Sequence, residues 1–208
     1  MDQEIETGER ILIEAEQLFF RYGVKSITMD EIATHLGISK KTIYQFYKDK
    51  KELVYKVVET KMAKQETEME EIAGKAIDPV HEILLTSEYL KKIFINMNPF
   101  LLVEVQKYYP RAYGIFSTHR DKCIFSSIFN NIKKGITQGL YRSGMDVDTI
   151  ARLRMLCIDA AVNPDNFPLA KKNLNELQMQ LIEHFLYGIC TLKGHKLINK
   201  YKQIKEEE

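Results

Sequence analysis

The stretch TMDEIATHLGISKKTIYQFY, residues 28–47, decides the fold because it carries the start signals of two short helices and the turn between them. Thr28 precedes Glu31 by three residues. The Thr28 hydroxyl can therefore accept from the Glu31 amide while the Glu31 carboxylate reaches back, a reciprocal cap that stabilises a helix start by about 1 kcal/mol. Gly37 can end the first helix, and Ser39 suits the cap of a second. The stretch predicts a helix-turn-helix.

Further helices are expected on both sides of this motif. One should run from about Thr7 to Tyr22, and the spacing of Asp49 and Glu52 repeats the capping pattern at the head of a longer helix that continues to about Ala73. Beyond it, helices are predicted near residues 80–97, 100–108, 119–140, 146–162 and 169–192, separated at prolines and glycines.

The predicted fold class is all-α, because runs of alternating apolar and polar residues, which a sheet would need, are missing from the sequence. An N-terminal three-helix helix-turn-helix domain is expected over residues 1–52, with a connecting helix to about residue 74. A larger helical domain is expected over residues 75–208.

The charged residues are distributed unevenly along the chain, although its net charge is small. Its 208 residues carry a net charge of +1, which excludes a uniformly basic coat that binds polyanions by bulk charge. Residues 38–56 hold six lysines against two acidic residues, whereas residues 1–37 hold three cations against eight acidic residues. Any nucleic-acid site should therefore lie at the second helix of the motif and the start of the next.

The residue types at that place suit DNA. The outer side of the second helix holds cations, hydroxyls and an amide, which can contact phosphates and base edges. Lys48 and Lys50 flank the start of the next helix, where the helix dipole also attracts an anion. The alternative is that the lysines form an ordinary solvated face and that Tyr44 is partly in the core.

The motif resembles the DNA-binding signature of the TetR family of bacterial transcriptional regulators over about residues 9–55. The matching positions are Thr28, Ile32, Ala33, Gly37, Ile38, Ser39, Tyr44, Tyr47, Lys50 and Leu53. Two positions depart from the family pattern: Tyr47 stands where Phe is usual, and Lys41 stands where a small residue is frequent.

The resemblance implies a role in DNA binding for particular positions. Thr28 and Lys50 would contact backbone phosphate, and the second helix would face the major groove. The whole expected set is Thr28, Ser39, Lys40, Lys41, Thr42, Tyr44, Gln45, Tyr47, Lys48 and Lys50.

The resemblance also implies a helical second domain that encloses a small-molecule effector, here unidentified. Residues 89–129 contain nine aromatic residues in 41 positions, and an apolar pocket needs such a lining. The expected lining is Phe94, Met97, Phe100, Val103, Tyr108, Phe116, Phe125 and Phe129. The alternative is that these side chains only fill a core, as aromatic residues at helical spacing usually do.

The last two strongly amphipathic helices are expected to form a dimer contact, as the corresponding pair does in the family. The expected contact residues are Ile150, Leu153, Cys157, Leu177, Leu181 and Phe185. Two identical subunits would place two identical helices about 34 Å apart, which matches one turn of a palindromic operator. The alternative is that these faces complete the core of one subunit.

Other site classes are not indicated. Three cysteines 34 and 33 residues apart suggest neither a disulfide framework nor a zinc site, so no metal or cofactor is expected and a reducing cytoplasm is the simplest compartment. We expect no signal peptide and no membrane span.

The sequence thus predicts a homodimeric regulator and not an enzyme. A repressor released from double-stranded operator DNA by an effector is the first interpretation, and the resemblance implies that the effector moves the connecting helix. An activator, a regulator that responds to a protein, or a helical carrier or enzyme are the alternatives.

Overall fold

The computed structural model describes residues 2–163, 166–167 and 174–204. Within those ranges the chain is helical, and Tyr141 and Cys190 form an isolated antiparallel bridge without any strand. The helices are α1 (Asp2–Tyr22), α2 (Met29–Leu36), α3 (Lys40–Phe46), α4 (Lys50–Lys75), α5 (Pro79–Phe94), α6 (Leu101–Tyr108), α7 (Pro110–His119), α8 (Phe125–Thr137), α9 (Val147–Val162), α10 (Leu174–Ile189) and α11 (Leu192–Lys202), with a π-helical turn Arg120–Ile124 before α8. The all-α prediction is confirmed.

The predicted capping of the motif is confirmed. The Glu31 amide donates to the Thr28 hydroxyl over 3.2 Å, and the Thr28 amide donates to the Glu31 carboxylate over 2.6 Å. Gly37 ends α2 with φ of +66°, a left-handed conformation that glycine adopts without the steric cost of a Cβ. Ser39 caps α3 by accepting from the amide of Thr42.

Several helix boundaries in the second half of the chain were wrong. The predicted helix over 119–140 begins as the π-helical turn, and α7 was not predicted at all. Pro110 was interpreted as a separator, whereas it occupies the first position of α7, where the missing amide hydrogen costs nothing. The predicted helix over 169–192 ends early, at Ile189, and Thr191 caps the separate helix α11. Residues 169–173 lie outside the described residues.

The helices fall into two compact units. The first comprises Met1–Gln65 and Asn96–His119, and the second comprises Glu66–Ile95 and Arg120–Glu208. These units differ from the expected domains, because residues 96–119 follow the predicted boundary and yet pack with the helix-turn-helix.

The first unit surrounds one apolar core. Its buried residues come from α1 to α4 and from α6 and α7: Ile11, Ala15, Leu18, Phe19, Val24, Ile27, Met29, Ile32, Ala33, Ile43, Leu53, Val54, Val57, Leu101, Val105 and Ala112. Ile43 is the buried residue of α3, so the core fixes the orientation of that helix and leaves the opposite side to solvent.

The second unit packs α10 against α5 and α9, α8 against α5 and α9, and α11 against α5. Tyr141 lies at the centre of its core, where its hydroxyl donates to the Asn131 side chain over 3.0 Å and Asn131 donates to the carbonyl of Pro79 over 3.0 Å. Along the part of the chain given above, no helix has the length and apolar character needed to cross a membrane.

Candidate nucleic-acid interface

The outer side of α3 presents polar side chains to solvent. Lys40, Lys41, Tyr44 and Gln45 are exposed, and Tyr44 retains 44% of its accessible surface although it is aromatic. Within the described residues, the side chains of Lys41, Tyr44 and Gln45 make no hydrogen bond or ion pair. Because these side chains make no such contacts, α3 can offer their donors and the Tyr44 ring to an external partner.

The first turn of α3 is more constrained. The Lys40 ammonium donates to the Asp30 carboxylate of α2 over 2.7 Å, and this hydrogen bond raises the pKa of Lys40. The hydroxyls of Ser39 and Thr42 lie 2.8 Å apart and form a hydrogen bond. The Asp30 carboxylate offsets part of the Lys40 charge, which reduces the net gain from a phosphate contact.

Two of the expected contact residues already have structural partners. The Thr28 hydroxyl serves the cap of α2, although the residue stays exposed. The Tyr47 hydroxyl donates to the carbonyl of Gly8 in α1 over 3.0 Å, and partial burial raises the pKa of Tyr47. The contact indicates that Tyr47 holds α3 against α1.

Lys50 is likewise engaged inside the first unit. Its ammonium donates to the carbonyl of Val24 over 2.5 Å and lies 5.9 Å from the centre of the Phe19 ring. Burial lowers the pKa of Lys50, and the carboxylates of Glu104 and Glu31 oppose that shift. The bond to Val24 restricts the position of the Lys50 ammonium, whereas Lys48 and Lys51 are exposed.

A cleft of about 470 Å³ opens beside the start of α4. Its lining residues are Lys25, Asp49, Lys50, Lys51, Tyr108 and Tyr109. Three ammonium groups against one carboxylate, next to a helix N-terminus, make the cleft attractive to an anion such as a phosphate. Lys25 and Lys51 were not among the expected contact residues, and the place of Lys25 depends on the packing of α6 against α1.

The packing of α6 against α1 is supported by polar contacts to the end of α1 and to the segment that follows it. The amide of Lys25 donates to the Glu104 carboxylate over 2.8 Å, and the amide of Asn98 donates to the carbonyl of Phe20 over 2.7 Å. The Glu104 carboxylate also lies so close to Gly23 that a Cβ there would be 2.7 Å from an oxygen. Residues of α6 thus shape the surface next to the helix-turn-helix.

The expected effector lining is divided between the units. Phe94, Phe125 and Phe129 belong to the second unit, and Met97, Phe100, Val103, Tyr108 and Phe116 belong to the first. Of the latter, Phe100, Val103 and Tyr108 are exposed, and Tyr108 lines the cleft described above. The lining as a whole stays a prediction.

The expected dimer residues are partly exposed. On α9, Leu153 retains 51% and Leu156 retains 64% of its accessible surface. Ile150, Cys157, Leu181 and Phe185 are half-buried. Leu177 is buried in the core of its own unit, so its side chain is not available at the surface.

Comparison with known proteins identifies the helix-turn-helix. Residues 11–57 match the family model described as "Bacterial regulatory proteins, tetR family". The chain is 29% identical over 125 residues to the HTH-type transcriptional repressor BepR of Brucella suis, a match that covers 60% of this chain and 50% of that protein. The chain spans about half the length of the curated relatives it matches.

Two solved structures share the fold. A TetR-family transcriptional regulator from Agrobacterium tumefaciens superposes with a TM-score of 0.76 and 17% identity, over 90% of this chain and all of that one. FadR from Bacillus subtilis, solved in complex with stearoyl-CoA, gives a TM-score of 0.66 and 19% identity, over 87% of this chain and 98% of that one. Each of these relatives is named as a transcriptional regulator.

Proposed function

We propose that the chain is a transcriptional regulator that binds a palindromic DNA operator as a homodimer in the cytoplasm. Its residues 11–57 match the model of the tetR family of bacterial regulatory proteins. The observation that carries the proposal is the outer side of α3. Lys41, Tyr44 and Gln45 are exposed there and make no side-chain hydrogen bond to the described residues. Ile43, on the opposite side of α3, is buried in the core of the first unit and fixes the orientation of the helix. In this role α3 is the helix that enters the major groove.

Phosphate contacts would come from the lysines that remain exposed. Lys48 and Lys51 flank the start of α4, where the dipole and the ammonium groups act on the same anion. Lys50 contributes chiefly by holding α4 to the α1–α2 connection, since its ammonium already donates to Val24. This assignment replaces the phosphate role that the sequence indicated for Lys50.

The homodimer would form through α9 and α10. Leu153 and Leu156 leave an apolar strip on α9 that a second copy could cover. Sedimentation of the full chain tests this contact: we expect a dimer that Leu156→Glu converts to a monomer, because a carboxylate in an apolar interface is costly. A dimer unaffected by Leu153→Glu and by Leu156→Glu would place the contact elsewhere.

Release of the DNA by a small organic effector is part of the proposal. The complex of FadR with stearoyl-CoA supports it, because a protein of the same fold binds such a molecule. An effector can release the DNA only through a difference in affinity for the two conformations. Transcription of the neighbouring genes after deletion separates a repressor, whose loss raises it, from an activator.

Binding to the DNA upstream of the chain's own gene tests the central role. Fluorescence anisotropy at several salt concentrations should show steep salt dependence, because phosphate contacts release counterions. Lys48→Met should weaken binding to every sequence and reduce the salt slope by about one, whereas Tyr44→Ala should alter the preference among sequences.

Lys64→Met is the matched control. Lys64 is an exposed lysine of α4, thirteen positions beyond Lys51, so its removal changes the net charge equally but at about 20 Å along the helix. We expect its affinity to remain near that of the wild type. Equal losses for Lys48→Met and Lys64→Met would contradict the assigned surface, and binding to no duplex at low salt would contradict the function.

A further inference from the structure

Arg154 is a buried cation in the second unit. It lies on the inner side of α9, one turn after Ala151 and two turns before Ala161, both of which are fully buried. Arg154 itself retains only 6% of its accessible surface, and its guanidinium stands 5.7 Å from the centre of the Phe185 ring of α10.

The charge of Arg154 has no counterpart among the described residues. Its Nη1 is buried without a hydrogen-bond partner, and none of the carboxylates in the described part of the chain forms an ion pair with Arg154. Burial lowers the pKa of Arg154 to about 10, so the side chain stays charged at neutral pH. The neighbouring Arg152, by contrast, is exposed and pairs with Asp148 over 2.6 Å.

Such an arrangement is costly unless something else binds there. A buried charge normally requires a partner or a hydrogen-bonding network, and an apolar side chain of similar volume is often as stable or more stable. Gln178 is a second buried donor, and it lies on α10, the helix that packs against α9. It is 1% exposed, and its Nε2 has no hydrogen-bond partner among the described residues. Both groups are donors, so their missing partners are acceptors.

We propose that Arg154 is the anion-binding group of a ligand site in the second unit, and that the ligand is an organic monocarboxylate with an apolar body. A single guanidinium neutralises one charge, and its planar fork fits a carboxylate. The apolar body follows from the surroundings, because Ile150 and Phe185 pack against the core of this unit. The inference rests on the proposed function in that the ligand would be the effector.

Octanoate is a suitable probe, with octan-1-ol and octanamide as uncharged counterparts of equal chain length. Isothermal titration and thermal unfolding of the full chain, without DNA, should show that octanoate binds and raises Tm while the two uncharged probes bind at least tenfold more weakly. Arg154→Met should weaken octanoate binding tenfold or more, as a lost charged hydrogen bond does.

The control variants separate a ligand site from a structural role. Arg152→Met removes an arginine two residues away and should leave octanoate binding unchanged. Without octanoate, Arg154→Met should have a Tm equal to or above that of the wild type, since it removes a buried unpaired charge. If Arg154→Met does not fold, Arg154→Lys keeps the charge without the fork and should bind octanoate several-fold more weakly.

Four results would overturn the proposal: no octanoate binding by the wild type, equal binding of octan-1-ol, tighter binding of octyl phosphate, or unchanged octanoate binding by Arg154→Met or Arg154→Lys. DNA binding is read separately. Wild-type protein that binds octanoate but no DNA would refute the proposed function alone, and protein that binds DNA but no octanoate would refute only this inference.

Discussion

Gly135→Ala should destabilise the second unit strongly. Gly135 lies in α8 against the ring of Tyr141, and a Cβ at this position would be 2.0 Å from Cδ2 and 2.2 Å from Cε2 of that ring. Ordinary carbon contacts are about 3.5 Å or longer, so the ring would have to move by more than about 1 Å. It has little room to do so, because Tyr141 is 1% exposed and its hydroxyl is bonded to Asn131.

The expected magnitude follows from these contacts. Overpacking of a core costs about 1–3 kcal/mol, and displacing the ring breaks the buried bond between Tyr141 and Asn131, which costs about 1–3 kcal/mol more. Alanine recovers about 0.5–1 kcal/mol because it is a better helix former than glycine. The free energy of unfolding should therefore fall by about 1–5 kcal/mol, which lowers Tm by roughly 2–20 °C for a chain of this length.

Calorimetry and urea unfolding of the full chain measure the effect, and Gly188→Ala is the matched control. Gly188 also lies in a helix of the second unit, but a Cβ there would have nothing within 4 Å. The same substitution should leave Tm unchanged or raise it slightly. A loss below about 0.5 kcal/mol for Gly135→Ala, or equal losses for the two variants, would refute the packing described for Tyr141.

Three further variants test the first unit. Tyr47→Phe should cost about 1 kcal/mol of unfolding free energy in urea titrations, since it removes the hydrogen bond that joins α3 to α1. Asp30→Asn releases Lys40 from an exposed ion pair and should tighten DNA binding up to about fivefold with little change in Tm; weaker binding would contradict this reading. Hydrogen bonds from Thr28 lower the pKa of Glu31, so the unfolded state binds more protons and stability falls as the pH drops through the ordinary glutamate range. Glu31→Gln should therefore make the decline of Tm between about pH 6 and pH 3 shallower, and an unchanged slope would count against the cap.

Local signals in the sequence were reliable for the helix-turn-helix. A cap depends on residues three positions apart, so Thr28 and Ser39 could be assigned before any packing was known. The position of a residue on the short amphipathic helix α3 also predicted its exposure, because a buried Ile43 directs Lys41 and Tyr44 to solvent. The tetR family resemblance, which depended on the same residues, is confirmed.

Tertiary contacts could not be predicted in the same way. The bond from Lys50 to the carbonyl of Val24 joins positions 26 residues apart, and the bond from Lys25 to Glu104 joins positions 79 apart. Nothing in the local pattern distinguishes Lys50, which is half-buried, from Lys51, which is exposed. Likewise, Arg152 and Arg154 lie on one helix with similar neighbours in sequence. Only the packing of the helix shows that Arg152 pairs with Asp148, whereas Arg154 is buried without a counter-ion among the described residues.

Residues 96–119 belong to the first unit although they follow α5 in sequence, and this restricts how the helix-turn-helix could be isolated. Leu101, Val105 and Ala112 complete the apolar core around α1 and α4, although a whole helix of the second unit, α5, separates them from α4 in sequence. A fragment cut after residue 75 would leave the surface under those three side chains open to water, at about 25 cal/mol for each Å² of apolar area. A shortened regulator would have to keep residues 96–119, joined by a linker in place of α5, or carry polar replacements where these residues now pack.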